Sequence, residues 1–251
     1  MPSPSVDPSP LSPHTTLAAI ALRGNASTAI LDRHHLDFCC RGHRTLAEAC
    51  LEDGVDLAAL LAELAQGGAP DRVAVDWSRR SLADLIDFIV ATHHAYTREA
   101  IARIRTLLAK VVAKHGSAHV ELALVAPTFG HLAADLEPHM QREERVLFPY
   151  IKALESAVAP PVPPFGTVRN PVRMMMREHD RAGELLEHLV QTTCDFRPPS
   201  DACGSFRALY AALAEFRLDL MRHVALENAL LFPRAVALEE QSHRAPVAST
   251  G

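Results

Sequence analysis

Two stretches decide the fold when set side by side: His139-Met140-Gln141-Arg142-Glu143-Glu144-Arg145-Val146-Leu147-Phe148-Pro149 and His223-Val224-Ala225-Leu226-Glu227-Asn228-Ala229-Leu230-Leu231-Phe232-Pro233. Each opens on a histidine, places a glutamate four residues on, and closes with Leu-Phe-Pro at the same offsets. Residues four apart in an α-helix project from one face, so each stretch offers an imidazole and a carboxylate to one point in space. The Leu and Phe that follow anchor that face in a core.

Each copy has one matching histidine upstream. His94 lies 45 positions before His139 (139 − 94), and His179 lies 44 before His223 (223 − 179). The half-motif is therefore a helix with one His, a turn, and a helix with His-x-x-x-Glu, written twice. Two such hairpins packed antiparallel bring His94, His139, Glu143, His179, His223 and Glu227 together inside a bundle, which is how bundles build di-metal carboxylate sites. Imidazole with carboxylate suits iron, manganese or zinc and disfavours copper(I) or iron–sulfur ligation. Two carboxylates suit the bridging of two cations, and six protein ligands leave coordination positions open for a small molecule. A lone His-x-x-x-Glu is most often a surface pair. Two copies with matched upstream histidines are not, because burying six such groups without a metal leaves polar atoms unpaired at heavy cost.

The surrounding sequence supplies the helices. Ser81 is an N-cap ahead of Leu82, Leu85, Ile86, Ile89 and Val90 at helical spacing. Long helices are expected over about 81–115, 118–156, 169–192 and 201–238, ended by Gly116, the Pro-rich 160–164 and Pro198-Pro199. Pro138, inside the second, predicts a kink or local break. Four short apolar-periodic stretches, Thr16–Arg23, Ser27–His34, Thr45–Glu52 and Leu57–Gln66, precede them. The expectation is an all-α chain: a disordered tail at 1–14, a small helical domain at 15–66, a linker at 67–80, an up-down four-helix bundle at 81–238, and a disordered tail at 239–251.

Bulk properties exclude several classes. The net charge of −5 comes without any Lys/Arg cluster, so nucleic-acid binding is not expected. No segment reaches the roughly 18 apolar residues that span a bilayer, and residues 1–13 lack the basic head and apolar stretch of a secretory signal. Five cysteines at irregular spacing do not form a disulfide framework, which points to reduced thiols and a cytoplasmic location.

These residues resemble the hemerythrin-like superfamily, and within it the RIC family of di-iron proteins that repair iron–sulfur clusters. The resemblance runs from about residue 16 to 237. Leu36-Asp37-Phe38-Cys39-Cys40-Arg41-Gly42 with Thr45-Leu46 is similar to that family's vicinal-cysteine motif, although the family usually continues Cys-Cys with Gly-Gly. Trp77, Leu85-Ile86-Asp87, His94, His139-Met140, Arg142-Glu143-Glu144, Glu178-His179-Asp180, Ala182-Gly183-Glu184-Leu185-Leu186 and His223 to Pro233 follow in family order. The resemblance implies two non-haem iron ions (Fe2+/Fe3+), oxo- or hydroxo-bridged when oxidised. His94 and His139 would hold one, His179 and His223 the other, with Glu143 and Glu227 bridging. It further implies a stress-response protein supplying iron to damaged clusters, or alternatively a nitric-oxide buffer, sensor or reductase acting at the same centre. Its partners would be nitric oxide or another diatomic and damaged iron–sulfur proteins, with a homodimer as a further candidate.

The remaining candidates carry weaker signals. His93 points about 100° from His94 around an α-helix, so one alone should face the site. His94 shares the stripe of Ile86 and Val90, which leaves His93 at the surface or behind the ligands. Glu144 reads as a solvated neighbour. Glu178 and Asp180 read as surface charge, with orientation of an imidazole as the alternative. Cys39 and Cys40, flanked by His34, His35 and His43, read as reactive redox or client-contacting thiols rather than joint ligands of one metal. Cys50, Cys194 and Cys203 lack ligand spacing, and Met174-Met175-Met176 reads as core packing.

Overall fold

The computed structural model describes residues 11–67, 75–156 and 162–244, and among these it contains helices and no named strand. Four short helices lead: α1 (Leu17–Ala21), α2 (Asn25–Arg33), α3 (Leu46–Asp53) and α4 (Leu57–Gly67). Their ends follow from local chemistry. Thr45 and Glu48 form a reciprocal capping box at the start of α3, and Gly54 closes it with φ +70°.

The bundle has four rods. The first is α5 (Leu82–Phe88), a π-helical turn π1 (Ile89–His94) and α6 (Ala95–His115). The second is α7 (Leu122–Arg142), π2 (Glu143–Leu147) and α8 (Phe148–Ser156). The third is α9 (Arg169–Thr192). The fourth is α10 (Gly204–Leu226), π3 (Glu227–Leu231) and α11 (Phe232–Arg244). α6 packs along α10, and α7 along α9.

Of the kink or break expected at Pro138, the break is absent. α7 carries both Pro127 and Pro138 and stays helical through Arg142; the irregularity falls one turn later, at π2. Pro149 has no N–H to give the carbonyl of Arg145, and its ring would press on that group. Pro233 stands in the same relation to Ala229. Each wide π turn lies just ahead of its proline, so Leu-Phe-Pro marks the place where both rods change register.

The apolar interior lies in two blocks. One joins Leu17, Leu31, Phe38 and Leu60 of the leading helices to Ile104, Phe129, Phe206 and Phe216 of the bundle. The other holds Leu85, Ile89, Phe148, Ile151 and Phe232 at the opposite end. Arg217 of α10 pairs with Asp32 of α2, and the Arg222 Nε donates to Thr28 Oγ1 at 2.8 Å, so the leading helices sit directly on the bundle.

Two tail and linker expectations change. Residues 11–14 enter a hydrogen-bonded turn, Thr15 N–H donating to Ser12 O at 3.0 Å, and the last helix runs to Arg244 rather than ending at 238. Residues 1–10, 68–74 and 245–251 of the expected tails and linker lie outside the described residues. The rest of the linker is pinned, because Arg234 donates to the carbonyls of Trp77 (2.9 Å) and Arg80 (2.6 Å).

One buried carboxylate ties three rods at the second block. Glu239 of α11 accepts from Tyr150 Oη at 2.7 Å, Thr167 Oγ1 at 2.5 Å and Val168 N–H at 2.9 Å, the last a free amide at the start of α9. Glu239→Ala is expected to cost about 2–3 kcal/mol, a fall of roughly 5–10 °C in Tm by calorimetry. An unchanged Tm would mean that water replaces the carboxylate without loss.

Candidate metal centre

Between the two apolar blocks lies a polar layer made of the six residues singled out by the repeat. His94, Glu143 and Glu227 are fully buried, and His139, His179 and His223 nearly so. The histidine before each glutamate sits on an α-helical turn and the glutamate on the π turn that follows, so the change of register aims both inward. π1 has a further effect. A wider turn spreads more residues around the axis, and His93 is buried together with His94 instead of facing the surface.

The six donors form two clusters that share both glutamates: His94, His223, Glu143 and Glu227, and His139, His179, Glu143 and Glu227. The implied pairing of His94 with His139 and of His179 with His223 is therefore corrected. Each cluster takes one histidine from each hairpin, because α6 lies against α10 and α7 against α9. His94 Nε2 is 3.2 Å from His223 Nε2, and His139 Nε2 is 3.2 Å from His179 Nε2. Two imidazoles on one cation with bonds near 2.1 Å stand about 3.0–3.4 Å apart.

Hydrogen bonds behind the ring fix which nitrogen faces inward. His94 Nδ1 meets Glu144 Oε1 at 2.7 Å, His139 Nδ1 meets Glu178 Oε2 at 2.7 Å, and His179 Nδ1 meets Asn228 Oδ1 at 3.0 Å. Asn228 Nδ2 donates to Cys39 O at 3.0 Å, so its Oδ1 is left to accept. Those three rings thus donate outward and aim a lone pair inward. For His139 and His179 this sets two lone pairs face to face, which a cation between them relieves. Arg98 donates to Glu144 and Arg142 to Glu178, both at 2.6 Å. Burial alone would raise the Glu178 carboxyl, but His139 and Arg142 outweigh it and hold it down to about 2. His223 is the exception: its Nδ1 is buried with no hydrogen-bond partner, and its ring stacks on His93 at 5.7 Å, itself 3.0 Å from Asp219.

The carboxylates show the same need for a cation. Both oxygens of Glu143 and Oε2 of Glu227 are buried without a hydrogen-bond partner; His179 Nε2 lies 3.1 Å from the latter without hydrogen-bond alignment. Burial and the Glu227 charge push the Glu143 carboxyl well above its ordinary value. Burial also acts upward on Glu227, but His223 and His179 pull it down. Burial and His223 hold His94 down to about 4, so its imidazole is neutral and ready to ligate at neutral pH. Buried orphan oxygens, opposed lone pairs and the donor chemistry fit iron or a related cation.

Sequence comparison agrees with this geometry. A model of the hemerythrin HHE cation binding domain matches residues 85–235. A second, ScdA_N, a domain of unknown function, matches residues 13–67. "Iron-sulfur cluster repair protein YtfE" of Yersinia pseudotuberculosis serotype IB (strain PB1/+) is 35% identical over 221 residues, covering 88% of this chain and 96% of its own. Its namesake in Yersinia pestis (strain Pestoides F) is 34% identical over the same coverage. The chain belongs to the iron–sulfur cluster repair (RIC) family of hemerythrin-like proteins.

This RIC-family chain places several residues where the sequence reading had not. Glu144 is not a solvated neighbour but holds His94, and Glu178 takes the alternative open to it, orienting the imidazole of His139. The signal was in the repeat. Glu144 and Asn228 occupy the same position, one after the motif glutamate, and each holds the upstream histidine of its own hairpin. Glu178 and His93 also correspond, each preceding an upstream histidine and lying behind the motif histidine of the other hairpin. Asp180 lies at the surface. Of the methionine triplet only Met175 is buried, while Met174 and Met176 are exposed. Cys39 Sγ lies 3.6 Å from Cys40 Sγ, and Cys40 Sγ 3.6 Å from the carbonyl of His179, so the vicinal cysteines abut the centre.

Glu178→Ala should loosen one cluster without emptying the other. Removing a partner behind a ligand typically costs 10–100-fold in metal affinity. Chelator competition should therefore resolve one weakened cation, and equal weakening of both would contradict the assignment of Glu178 to His139 alone.

Proposed function

We propose that this chain is a cytoplasmic di-iron protein that repairs iron–sulfur clusters damaged by nitrosative or oxidative stress, supplying iron from a centre held by His94, His139, Glu143, His179, His223 and Glu227. The observation that carries the reading is the pair of buried donor clusters sharing two glutamates, in a chain whose curated relatives bear the repair name. Glu143 and Glu227 would be shared by two non-haem irons, with His94 and His223 holding one and His139 and His179 the other. When bound, the irons supply open coordination positions and reversible one-electron chemistry. Burial holds His94 down to about 4 and lowers His139, while Glu144, Glu178 and Asn228 orient His94, His139 and His179 from behind, and an apolar block lies on either side of the layer.

Cys39 and Cys40 contact the damaged client or relay electrons to it. Cys39 is nearly buried, whereas Cys40 is half-buried and open to a surface cavity. A Cys39→Ala/Cys40→Ala variant that restores cluster enzymes as well as the unmodified protein would remove the thiols from the function.

Anaerobic reaction of the reduced, iron-loaded protein with an apo-cluster acceptor and, separately, with nitric oxide tests the reading. Loss of iron to the acceptor, with restored cluster enzyme activity, is expected. Iron retained, with either a stable nitrosyl or release of nitrous oxide, would replace repair by nitric-oxide binding or reduction.

A further inference from the structure

We infer that Asp37, Cys39 and Cys40 form a second divalent-cation site, a thiolate–thiolate–carboxylate site for iron(II) or a similar borderline ion, set against the backbone of His179. Cys39 Sγ is 3.6 Å from Cys40 Sγ and 3.2 Å from Asp37 Oδ1, and the three donors lie within 4.8 Å of one another. A tetrahedral cation with metal–sulfur bonds near 2.3 Å sets its thiolates about 3.8 Å apart, and a thiolate and carboxylate about 3.6 Å apart. The spacing is that of one face of such a site, slightly contracted.

Adjacent cysteines ordinarily point apart, and the local chain explains why these do not. Asp37 Oδ1 accepts from the backbone N–H of both Cys39 (3.1 Å) and Cys40 (2.9 Å), which curls the segment around its own carboxylate. Gly42 allows the turn to close, since a Cβ there would stand 2.4 Å from the carbonyl oxygen of Phe38. Across the gap, Gly183 leaves α9 without a side chain where a Cβ would stand 3.4 Å from Cys40 Sγ. A cavity of about 520 Å³ opens onto the donors, with Asp180, Glu184 and Glu187 on its wall. Of the arginines on the same wall, Arg41 and Arg44 share Glu52 at 3.2 and 2.8 Å, Arg44 also meets Asp53 at 3.1 Å, and Arg217 pairs with Asp32. Acidic groups therefore set the field at the mouth, and the open side leaves the fourth position to water or to a donor from a client.

Binding forms two metal–sulfur bonds and releases two thiol protons to solvent; no electron moves. A cation there is one contact from the centre, through Cys40 Sγ to the carbonyl of His179 and through Cys39 O and Asn228 to the His179 ring. That it receives iron(II) on the way to the His139–His179 cluster rests on the repair reading; the site itself does not.

The test is a cobalt(II) titration of protein as purified, with its iron content determined in the same samples. A near-ultraviolet sulfur-to-cobalt charge-transfer band should saturate at about one cobalt per chain, because cobalt at a histidine–carboxylate centre gives no such band. Cys39→Ser and Cys40→Ser should each weaken it roughly tenfold or more, since losing a ligand costs at least as much as losing its support. Asp37→Asn, which keeps the acceptor for the two amides and loses the charge, should weaken it as well. In the unmodified protein, zinc should shield the half-buried Cys40, but not the exposed Cys194, from alkylation by iodoacetamide. No sulfur band, a band that survives both serine variants, or no shielding would each overturn the site. Iron absent from the purified protein would instead strike the repair reading and leave the thiol result standing.

Discussion

Glu227→Ala should empty both halves of the centre at once, whereas His223→Ala should empty one. Glu227 belongs to both donor clusters and His223 to a single cluster, so the two variants differ in kind rather than degree. Metal analysis after anaerobic reconstitution should fall from about two cations per chain toward none in Glu227→Ala, and toward about one in His223→Ala. The visible spectrum of the oxidised protein should lose its charge-transfer intensity in the first and change shape in the second. Unchanged iron in Glu227→Ala would sink the shared-carboxylate arrangement. Equal losses in the two variants would show that one half does not persist without the other.

Stability and cation binding should move in opposite directions at Glu143. Both of its oxygens are buried without a hydrogen-bond partner, so in the cation-free protein it is an uncompensated polar group in a dry layer. Glu143→Leu is expected to stabilise that form by about 1–4 kcal/mol, at roughly 2–4 °C in Tm per kcal/mol, while abolishing stabilisation by added iron. The pH dependence has a definite sign. Burial and Glu227 raise the folded-state pKa of Glu143 above its ordinary 4.5, so the folded chain binds the extra proton. That contribution is fully present below about 4.5 and is lost as pH rises through the raised value. The advantage of the leucine variant should therefore widen from acid toward neutral pH. A cation-free Glu143→Leu protein less stable than its parent would mean that the layer is satisfied internally and is not shaped for a metal.

The six donors were legible because they are written as a repeat, and repetition is a linear signal. Their pairing was not. A hairpin read along the chain suggests that His94 and His139 serve one ion, but which faces meet across a bundle is set by packing, here α6 on α10 and α7 on α9. The roles of Glu144 and Asn228 were readable at matched repeat positions, yet their unlike chemistry hid the correspondence. Of the two places open to His93, at the surface or behind the ligands, the structure takes the second, against the His223 ring, and π1 is what buries it beside His94. α7 runs through Pro138 without a break, and the prolines that accompany a change of register are Pro149 and Pro233. The spacing of Cys39 and Cys40 depends on Asp37 curling the chain and on the tight turn at Gly42, neither of which adjacency in sequence reveals.

The repeat leaves one corner of the centre without a brace. Three imidazoles are braced from behind, whereas His223 has a parallel ring at its back and no acceptor for Nδ1. The two ions of such a pair would not be equals. An ion between His139 and His179 would meet two rings held from behind, and its neighbour one such ring and His223, which is held on its inner side alone, Nε2 lying 3.0 Å from Glu227 Oε1. On the repair reading proposed above, such an inequality would let one ion leave while the other still neutralised the shared glutamates.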